Sequence, residues 1–311
     1  MPVNRCPATD VYQRMIGDEL LPGEFEPLEA HLEGCDSCQR TMDRLTAFAD
    51  TAWISPPPRT GSPVAVPVIP GVVIQGEIGR GGFGVVYRGF QTALDRTVAV
   101  KVLRNGAVST DQERGRLFEE AVTAARLRQP NIVQVHAVDH DAAGNPYLLL
   151  EFVSGPSLAK RLTDGPLSAR DAASVVRIIA QAVGVAHDQH VIHRDLKPGN
   201  VLLKGATLDH PVVTDFGMAK RLDVPAGLTQ TAESLGTPSY MAPELAAGGA
   251  KTAGPAADVY SLGVILYECL TGHPPFRGAT PFDTLLLVRQ QEVIPPRNFC
   301  RRCTGTSKRF A

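Results

Sequence analysis

Three glycines, Gly79, Gly81 and Gly84, stand in G-x-G-x-x-G spacing within the stretch IGRGGFGVVYRG. Glycine lets a backbone approach phosphate oxygens closely, so this spacing is typical of nucleotide-binding loops. A dinucleotide-binding turn has the same spacing but then opens a helix. Here β-forming residues follow, which predicts a hairpin folded over phosphates. A glycine-rich surface turn is the alternative.

A lysine, Lys101, lies within the apolar run TVAVKVL, where it either snorkels at a strand end or is kept for a function. The helix predicted over residues 112–128 carries Glu120 on its apolar face, whereas Glu119 points away. A carboxylate that faces inward requires a cation, and Lys101 is available. The sequence therefore predicts a Lys101–Glu120 ion pair, which is either functional or purely structural.

Three longer motifs follow in order: VIHRDLKPGNVLL from Val191, VVTDFGMAK from Val212 and GTPSYMAPE from Gly236. Together with the glycines and Lys101, they resemble the catalytic domain of protein kinases, of the bacterial kind similar to eukaryotic serine/threonine kinases. The resemblance implies an α+β fold with two lobes, a small β-rich N-lobe and a helical C-lobe. It also implies transfer of the γ-phosphate of ATP, with Mg²⁺, to serine or threonine hydroxyls of protein substrates.

The resemblance assigns roles to the charged residues of these motifs. Asp195 would accept the proton of the substrate hydroxyl, and Lys197 would reach the γ-phosphate. Lys197 also indicates serine or threonine rather than tyrosine as the acceptor. Lys101, oriented by Glu120, would hold the α and β phosphates. The Mg²⁺ ligands would be the hard oxygens of Asn200 and Asp215.

The stretch LLLEFV matches the hinge whose backbone groups bind adenine, although an ordinary buried strand would look similar. The nucleotide-binding set implied by the resemblance is Gly79, Gly81, Gly84, Val86, Ala99, Lys101, Glu151 and Val153.

Further positions follow from the same resemblance. Asp258, on a strongly apolar helix, would anchor the catalytic loop; as a simpler alternative it caps that helix. Arg194 would be a cation for a phosphate on Thr229 or Thr231. Gln129 departs from the family, because such kinases often have histidine there.

The first 50 residues are too few to bury a sufficient core, so a metal is expected to stabilise them. His31, Cys35 and Cys38 form H-x-x-x-C-x-x-C, and Cys6 is a fourth candidate ligand for tetrahedral Zn²⁺. The pattern resembles the small all-α zinc-binding domains of anti-sigma factors. Free thiols on an amphipathic helix pair are the alternative.

Composition sets the boundaries, since six prolines fall in residues 54–70. The predicted division is a zinc-binding domain at 1–50, a proline-rich linker at 51–72, a kinase domain at 73–297 and a tail at 298–311. A net charge of −1 gives no general attraction to nucleic acid, and no apolar run reaches membrane-span length. The expectation is a cytoplasmic protein with protein substrates and a regulatory partner at the N-terminal domain.

The tail NFCRRCTGTSKRFA stands where the family continues with further helices, including an arginine that pairs with Glu244. Reverse translation in the neighbouring frame gives a segment ending LETIC, similar to what such kinases carry after V-P-P-R. We therefore expect a truncated C-lobe and a frameshift tail, with a real metal or nucleic-acid tail at Cys300 and Cys303 as the alternative. An inactive or unstable fragment that at most binds nucleotide or a partner is the competing function.

Overall fold

The computed structural model describes residues 66–81, 84–103, 122–142, 144–216, 237–247 and 254–298, together with residues 6, 7, 11, 28, 31, 32, 35, 38 and 39. The chain divides into two units, Met1–Thr51 and Ala52–Ala311.

The second unit begins with an antiparallel sheet of five strands, which are β1 (Val72–Gly81), β2 (Gly84–Gln91), β3 (Arg96–Leu103), β4 (Val135–His140) and β5 (Pro146–Glu151). Their spatial order is β1-β2-β3-β5-β4. Gly81 pairs with Gly84 at the end of the β1–β2 ladder. The hairpin predicted to follow the glycines is therefore present, and a dinucleotide-binding turn that opens a helix is not.

Strand alternation divides this sheet into two buried faces. Ala99 and Leu103 of β3 pack on one face, with Val86, Leu148 and Leu150. The opposite face is a separate cluster, whose members are Ile69, Val85, Tyr87, Val98, Val100, Tyr147 and Leu149. Ile69 lies within the predicted linker, yet it is only 4% exposed and forms a bridge with Val72. The end of the proline-rich stretch therefore packs against the sheet.

The second lobe is helical. Its helices are α1 (Leu158–Leu162), α2 (Ala169–Asp188), α3 (Pro243–Ala246), α4 (Pro255–Thr271) and α5 (Pro281–Gln290), and two short strands, β6 (Val201–Leu203) and β7 (Pro211–Val213), form a second sheet. Helix α2 begins where Ser168 Oγ accepts a hydrogen bond from Asp171 N. Its buried face packs with Ile265 and Cys269 of α4 in the main core. The predicted β-rich N-lobe and helical C-lobe are confirmed.

The N-terminal unit is helical at residues 11, 28, 31, 32, 38 and 39. Leu28 and Cys38 are its buried apolar residues among the described positions, at 4% and 2% exposure. Val11, Leu32 and Cys35 pack against them.

Candidate active site

The glycine hairpin requires glycine for steric reasons at Gly84. Its φ is +158°, and a Cβ there would lie 2.1 Å from the carbonyl oxygen of Val102 on the next strand. No side chain fits at that distance, so β2 can approach β3 this closely only without one. Gly79 pairs with Val86 in the same hairpin, whose tip, residues 82 and 83, lies outside the described residues.

Lys101 reaches from β3 of the N-lobe to Asp215, which follows β7 of the C-lobe. Its Nζ lies 2.8 Å from Asp215 Oδ1, and the two side chains are 6% and 17% exposed. Burial alone would raise the pKa of the Asp215 carboxyl, but the charge and hydrogen bond of Lys101 outweigh it and lower that pKa. Asp215 is therefore held as a carboxylate. Glu120, the partner predicted for Lys101, lies outside the described residues.

The loop between α2 and β6 gathers three of the predicted residues. Asn200 Nδ2 donates to the backbone oxygen of Asp195 at 2.7 Å and to its Oδ2 at 3.2 Å. Lys197 Nζ lies 3.5 Å from the same Oδ2. Both contacts that the described residues make to this carboxylate use Oδ2, so Oδ1 is the oxygen left for an incoming group.

Thr237 is a contact that sequence reasoning missed. Its hydroxyl accepts a hydrogen bond from Lys197 Nζ at 2.8 Å. The motif GTPSYMAPE does not by itself indicate a role for this threonine, although a hydroxyl directly before the Pro-Ser-Tyr turn can accept a hydrogen bond from a cation of the catalytic loop.

Asp258 binds the backbone of that loop through its carboxylate. It is 1% exposed, and its two oxygens accept hydrogen bonds from the backbone N–H groups of His193 and Arg194, each at 2.8 Å. His187 Nε2 donates to Oδ2 of the same carboxylate at 2.8 Å. A side chain with three such contacts anchors a loop, and the N-cap position of its helix is occupied by Gly254 rather than by Asp258.

His193 joins the loop to the segment that carries Asp215. It is completely buried, its Nε2 donates to the carbonyl oxygen of Thr214 at 2.9 Å, and its ring packs 4.7 Å from that of Phe216. Arg194 and Asp215 both adopt a left-handed backbone, with φ of +67°. The histidine therefore fixes the relative position of two strained residues that flank the cleft.

The hinge residues occupy the end of β5 and the segment that follows it. Val153 is 4% exposed and packs with Val86 and Ala99, which supports their assignment to one apolar surface. Glu151 Oε1 forms an ion pair with Lys204 Nζ at 2.9 Å. Val86, Ala99 and Val153 thus lie in one apolar cluster, and Glu151 lies at the end of β5.

The predicted phosphorylation sites Thr229 and Thr231 lie outside the described residues, as do Cys300 and Cys303 of the tail. Glu244, expected to lack an arginine partner, is exposed on α3. Gln129 stands where the family often has histidine, and its amide group donates to and accepts from Asn131, which closes the turn before β4.

In the N-terminal unit, the four predicted zinc ligands come together. The ligand atoms of Cys6, His31, Cys35 and Cys38 all lie within 4.8 Å of one another. Cys6 Sγ is 3.7 Å from Cys35 Sγ, and His31 Nε2 is 3.2 Å from Cys38 Sγ. Hydrogen bonds with Cys38 and then Cys35 raise the pKa of the Cys6 thiol to about 11. Ligands of one tetrahedral zinc stand about 3.3 to 3.8 Å apart, so the Cys6–Cys35 pair has this spacing and the His31–Cys38 pair is slightly closer.

A glycine hairpin over a cleft, a lysine that meets an aspartate across two lobes, and an Asp-Lys-Asn loop define a phosphotransferase fold of the protein kinase type. The protein kinase domain model matches residues 72–300, and the chain belongs to that family.

Named relatives agree with this assignment. The chain is 36% identical over 235 residues to a probable serine/threonine-protein kinase PknB of Corynebacterium glutamicum, covering 74% of this chain and 36% of that protein. It is 40% identical over 229 residues to the serine/threonine-protein kinase PkaA of Streptomyces coelicolor, covering 68% and 41%. The chain thus spans little more than a third of the length of the curated relatives it matches.

Among solved structures, the kinase domain of Mycobacterium tuberculosis PknI, in a single-residue mutant, superposes with a TM-score of 0.58 and 25% identity. The match covers 76% of this chain and 84% of that one. Among the helices of the described residues, none has the length and apolar character that crossing a membrane demands.

Proposed function

We propose that the protein is a serine/threonine protein kinase that transfers the γ-phosphate of ATP to hydroxyl groups of protein substrates. One observation carries the proposal: Asp195, Lys197 and Asn200 converge in one loop that Asp258 and His193 hold beside the Lys101–Asp215 pair. Phosphoryl transfer requires mainly positioning and neutralisation of charge, and this arrangement supplies both.

Asp195 is the residue we assign to the substrate hydroxyl. As the oxygen–phosphorus bond forms and the bond to the β-phosphate breaks, the hydroxyl proton passes to Asp195 Oδ1, and ADP leaves. Oδ2 is already engaged by Asn200 and Lys197, which fixes the orientation of the carboxylate. Lys197, held by Thr237, directs its charge to the transferred phosphate.

The donor set fits magnesium. Asp215 is ionised because Lys101 lowers its pKa. The NH₂ group of Asn200 donates to Asp195, so the amide oxygen of Asn200 is the atom that would bind a cation. Carboxylate and amide oxygens are the ligands that Mg²⁺ prefers. When bound, Mg²⁺ would neutralise phosphate charge, while Lys101 would hold the α and β phosphates under the backbone of Gly79 to Gly84.

The adenine site lies at the hinge in this proposal. Backbone groups of Glu151 and Val153 would bind the base between Val86 and Ala99, whose apolar cluster supports the assignment. Orientation of Lys101 by Glu120, and phosphorylation of Thr229 or Thr231 opposite Arg194, belong to the same proposal and rest on the family resemblance alone.

The N-terminal unit is proposed to bind one Zn²⁺ through Cys6, His31, Cys35 and Cys38, supported by the proximity of their ligand atoms. A regulatory partner at this unit stays a prediction from the sequence resemblance. Elemental analysis of the whole protein should find about one zinc per chain. Cys35→Ser should lose it and Cys269→Ala, in the kinase core, should retain it; zinc retained in both variants would contradict the assignment.

The division at residues 50, 72 and 297, the frameshift tail and the cytoplasmic location stay predictions. Function itself is tested by incubating the purified protein with Mg²⁺ and γ-labelled ATP and a generic protein acceptor. Label should appear on serine or threonine and be lost in Asp195→Asn. Nucleotide binding without any transfer would instead support the competing view of a binding module.

A further inference from the structure

The consecutive hinge residues Glu151 and Phe152 each contact a basic side chain, and the two basic residues come from different lobes. Lys204 Nζ, just after β6, lies 2.9 Å from Glu151 Oε1. The guanidinium carbon of Arg88, on β2, lies 5.2 Å from the ring centroid of Phe152. Neither Lys204 nor Arg88 belongs to the motifs that define the catalytic site.

Backbone hydrogen bonds of residues 203–205 fix the position of Lys204. The neighbouring residues pair with the chain that leaves the hinge, because Leu203 N donates to Pro156 O and Gly205 N donates to Ser154 O, both at 2.8 Å. The backbone N–H of Lys204 itself donates to His210. Its ammonium group therefore reaches Glu151 from a fixed point on the C-lobe.

Arg88 approaches from the opposite side. It pairs with Ala99 across the β2–β3 ladder, and it lies two residues from Val86, so it shares the inner face of the sheet with both. Phe152 packs partly buried against that same apolar cluster. The guanidinium over this ring therefore links the nucleotide-facing strands to the middle of the hinge.

We propose that Arg88 and Lys204 are positioning residues that set nucleotide affinity by fixing the hinge from both lobes. The inference rests on the proposed kinase function, since adenine would bind the backbone groups of residues 151 and 153, on either side of Phe152. A hydrogen bond weakens steeply when its angle departs from linear, so a hinge peptide that rotates loses affinity for the base. The reacting groups at Asp195 are not touched by either contact.

The expected signature is a change in KM for ATP with little change in kcat. Lys204→Gln should raise that KM about two- to fivefold, because the paired side chains are 53% and 32% exposed and water weakens such a pair. Arg88→Gln should have an effect of similar size. Lys204→Arg should retain the wild-type KM, because it keeps the positive charge that faces Glu151.

Salt separates the two contacts. The ratio between the KM of Lys204→Gln and that of the wild type should approach one as ionic strength rises, because salt screens an exposed ion pair. The Arg88→Gln ratio should persist, since contact between the guanidinium group and the Phe152 ring contributes to it. Arg177→Gln removes a cation that bonds Gln181 on the surface of α2, and it should leave KM unchanged at every salt concentration.

The experiment uses the full chain and measures KM and kcat together with the Kd of a fluorescent ADP analogue. A Kd and KM that match the wild type in both Gln variants would overturn the proposal, as would equal changes in Arg177→Gln. If the wild type binds nucleotide but transfers no phosphate, the kinase assignment fails while the Kd values still decide the role of the hinge. A wild type that binds no nucleotide overturns both.

Discussion

The ion pair between Lys101 and Asp215 joins the two lobes and is largely buried in the cleft. We expect Lys101→Met to destabilise the kinase unit and to abolish phosphate transfer. Two unit charges 2.8 Å apart attract by about 6 kcal/mol at an effective dielectric of about 20. Because Asp215 is 17% exposed, water would relieve part of the loss, which leaves about 2 to 4 kcal/mol.

The pH dependence of this loss is the distinguishing feature. In the wild type the folded pKa of Asp215 is lowered, so its contribution is present above the ordinary value of 3.8 and is lost as pH falls through the folded pKa. In Lys101→Met, burial acts without its counter-charge and raises that pKa. The variant then loses stability at pH values above the raised pKa, and this loss disappears below the ordinary pKa of 3.8. The difference in stability should therefore be greatest near neutral pH and should shrink as the pH falls toward 4.

Urea unfolding of both proteins between about pH 4 and pH 8 measures this difference. The double variant Lys101→Met/Asp215→Asn removes the buried charge together with its partner, so it should recover most of the stability at pH 7. A loss that is constant across this range would refute the reasoning. So would a double variant no more stable than the single one at pH 7.

Three further predictions follow from local geometry. Gly155→Ala should cost about 2 kcal/mol or more, because φ is +143° and the new Cβ would lie 1.9 Å from the carbonyl oxygen of Leu203; Gly184→Ala, with nothing near it inside α2, should be neutral or stabilising by thermal melt. Thr237→Ala should lower kcat about tenfold, whereas Thr237→Ser, which keeps the hydroxyl for Lys197, should retain the wild-type kcat. Equal kcat values for the two variants would count against the contact. Asp258→Ala should destabilise the protein by about 3 kcal/mol or more in urea unfolding, since buried backbone donors lose their acceptor; a stability equal to the wild type's would show that the loop does not depend on it.

The sequence predicted the parts of the site whose chemistry constrains residue type. Lys101, Asp195, Asn200 and Asp215 stand in short motifs, and the structure places Asp195 beside Asn200 and Lys101 beside Asp215, while their binding of phosphate and magnesium stays a proposal. The two lobes and the glycine hairpin followed from the same motifs. The Lys101–Glu120 pair stays a prediction, because Glu120 lies outside the described residues.

Contacts between distant and individually ordinary residues could not be predicted in the same way. Lys204 and Glu151 are 53 positions apart, and neither an exposed lysine nor a glutamate at a strand end indicates a partner. Arg88 is an exposed residue that follows a buried run on β2, and nothing in the sequence around it indicates Phe152 as its partner. Ile69 lies among prolines with no strand period, so its burial against the sheet depends on tertiary packing alone.

The cleft also shows why its carboxylates must differ in environment. Arg194 and Asp215, both non-glycine residues with φ of +67°, carry backbone strain of about 1 to 3 kcal/mol each. Asp258 offsets the first by accepting the N–H group of Arg194, and Lys101 holds the second through its side chain. Asp258 is therefore buried with both of its oxygens engaged, whereas the contacts that the described residues make to the Asp195 carboxylate use Oδ2. Replacing the strained residues by glycine would relieve the backbone but remove the side chains, so the strain persists because the site requires both that backbone and those groups.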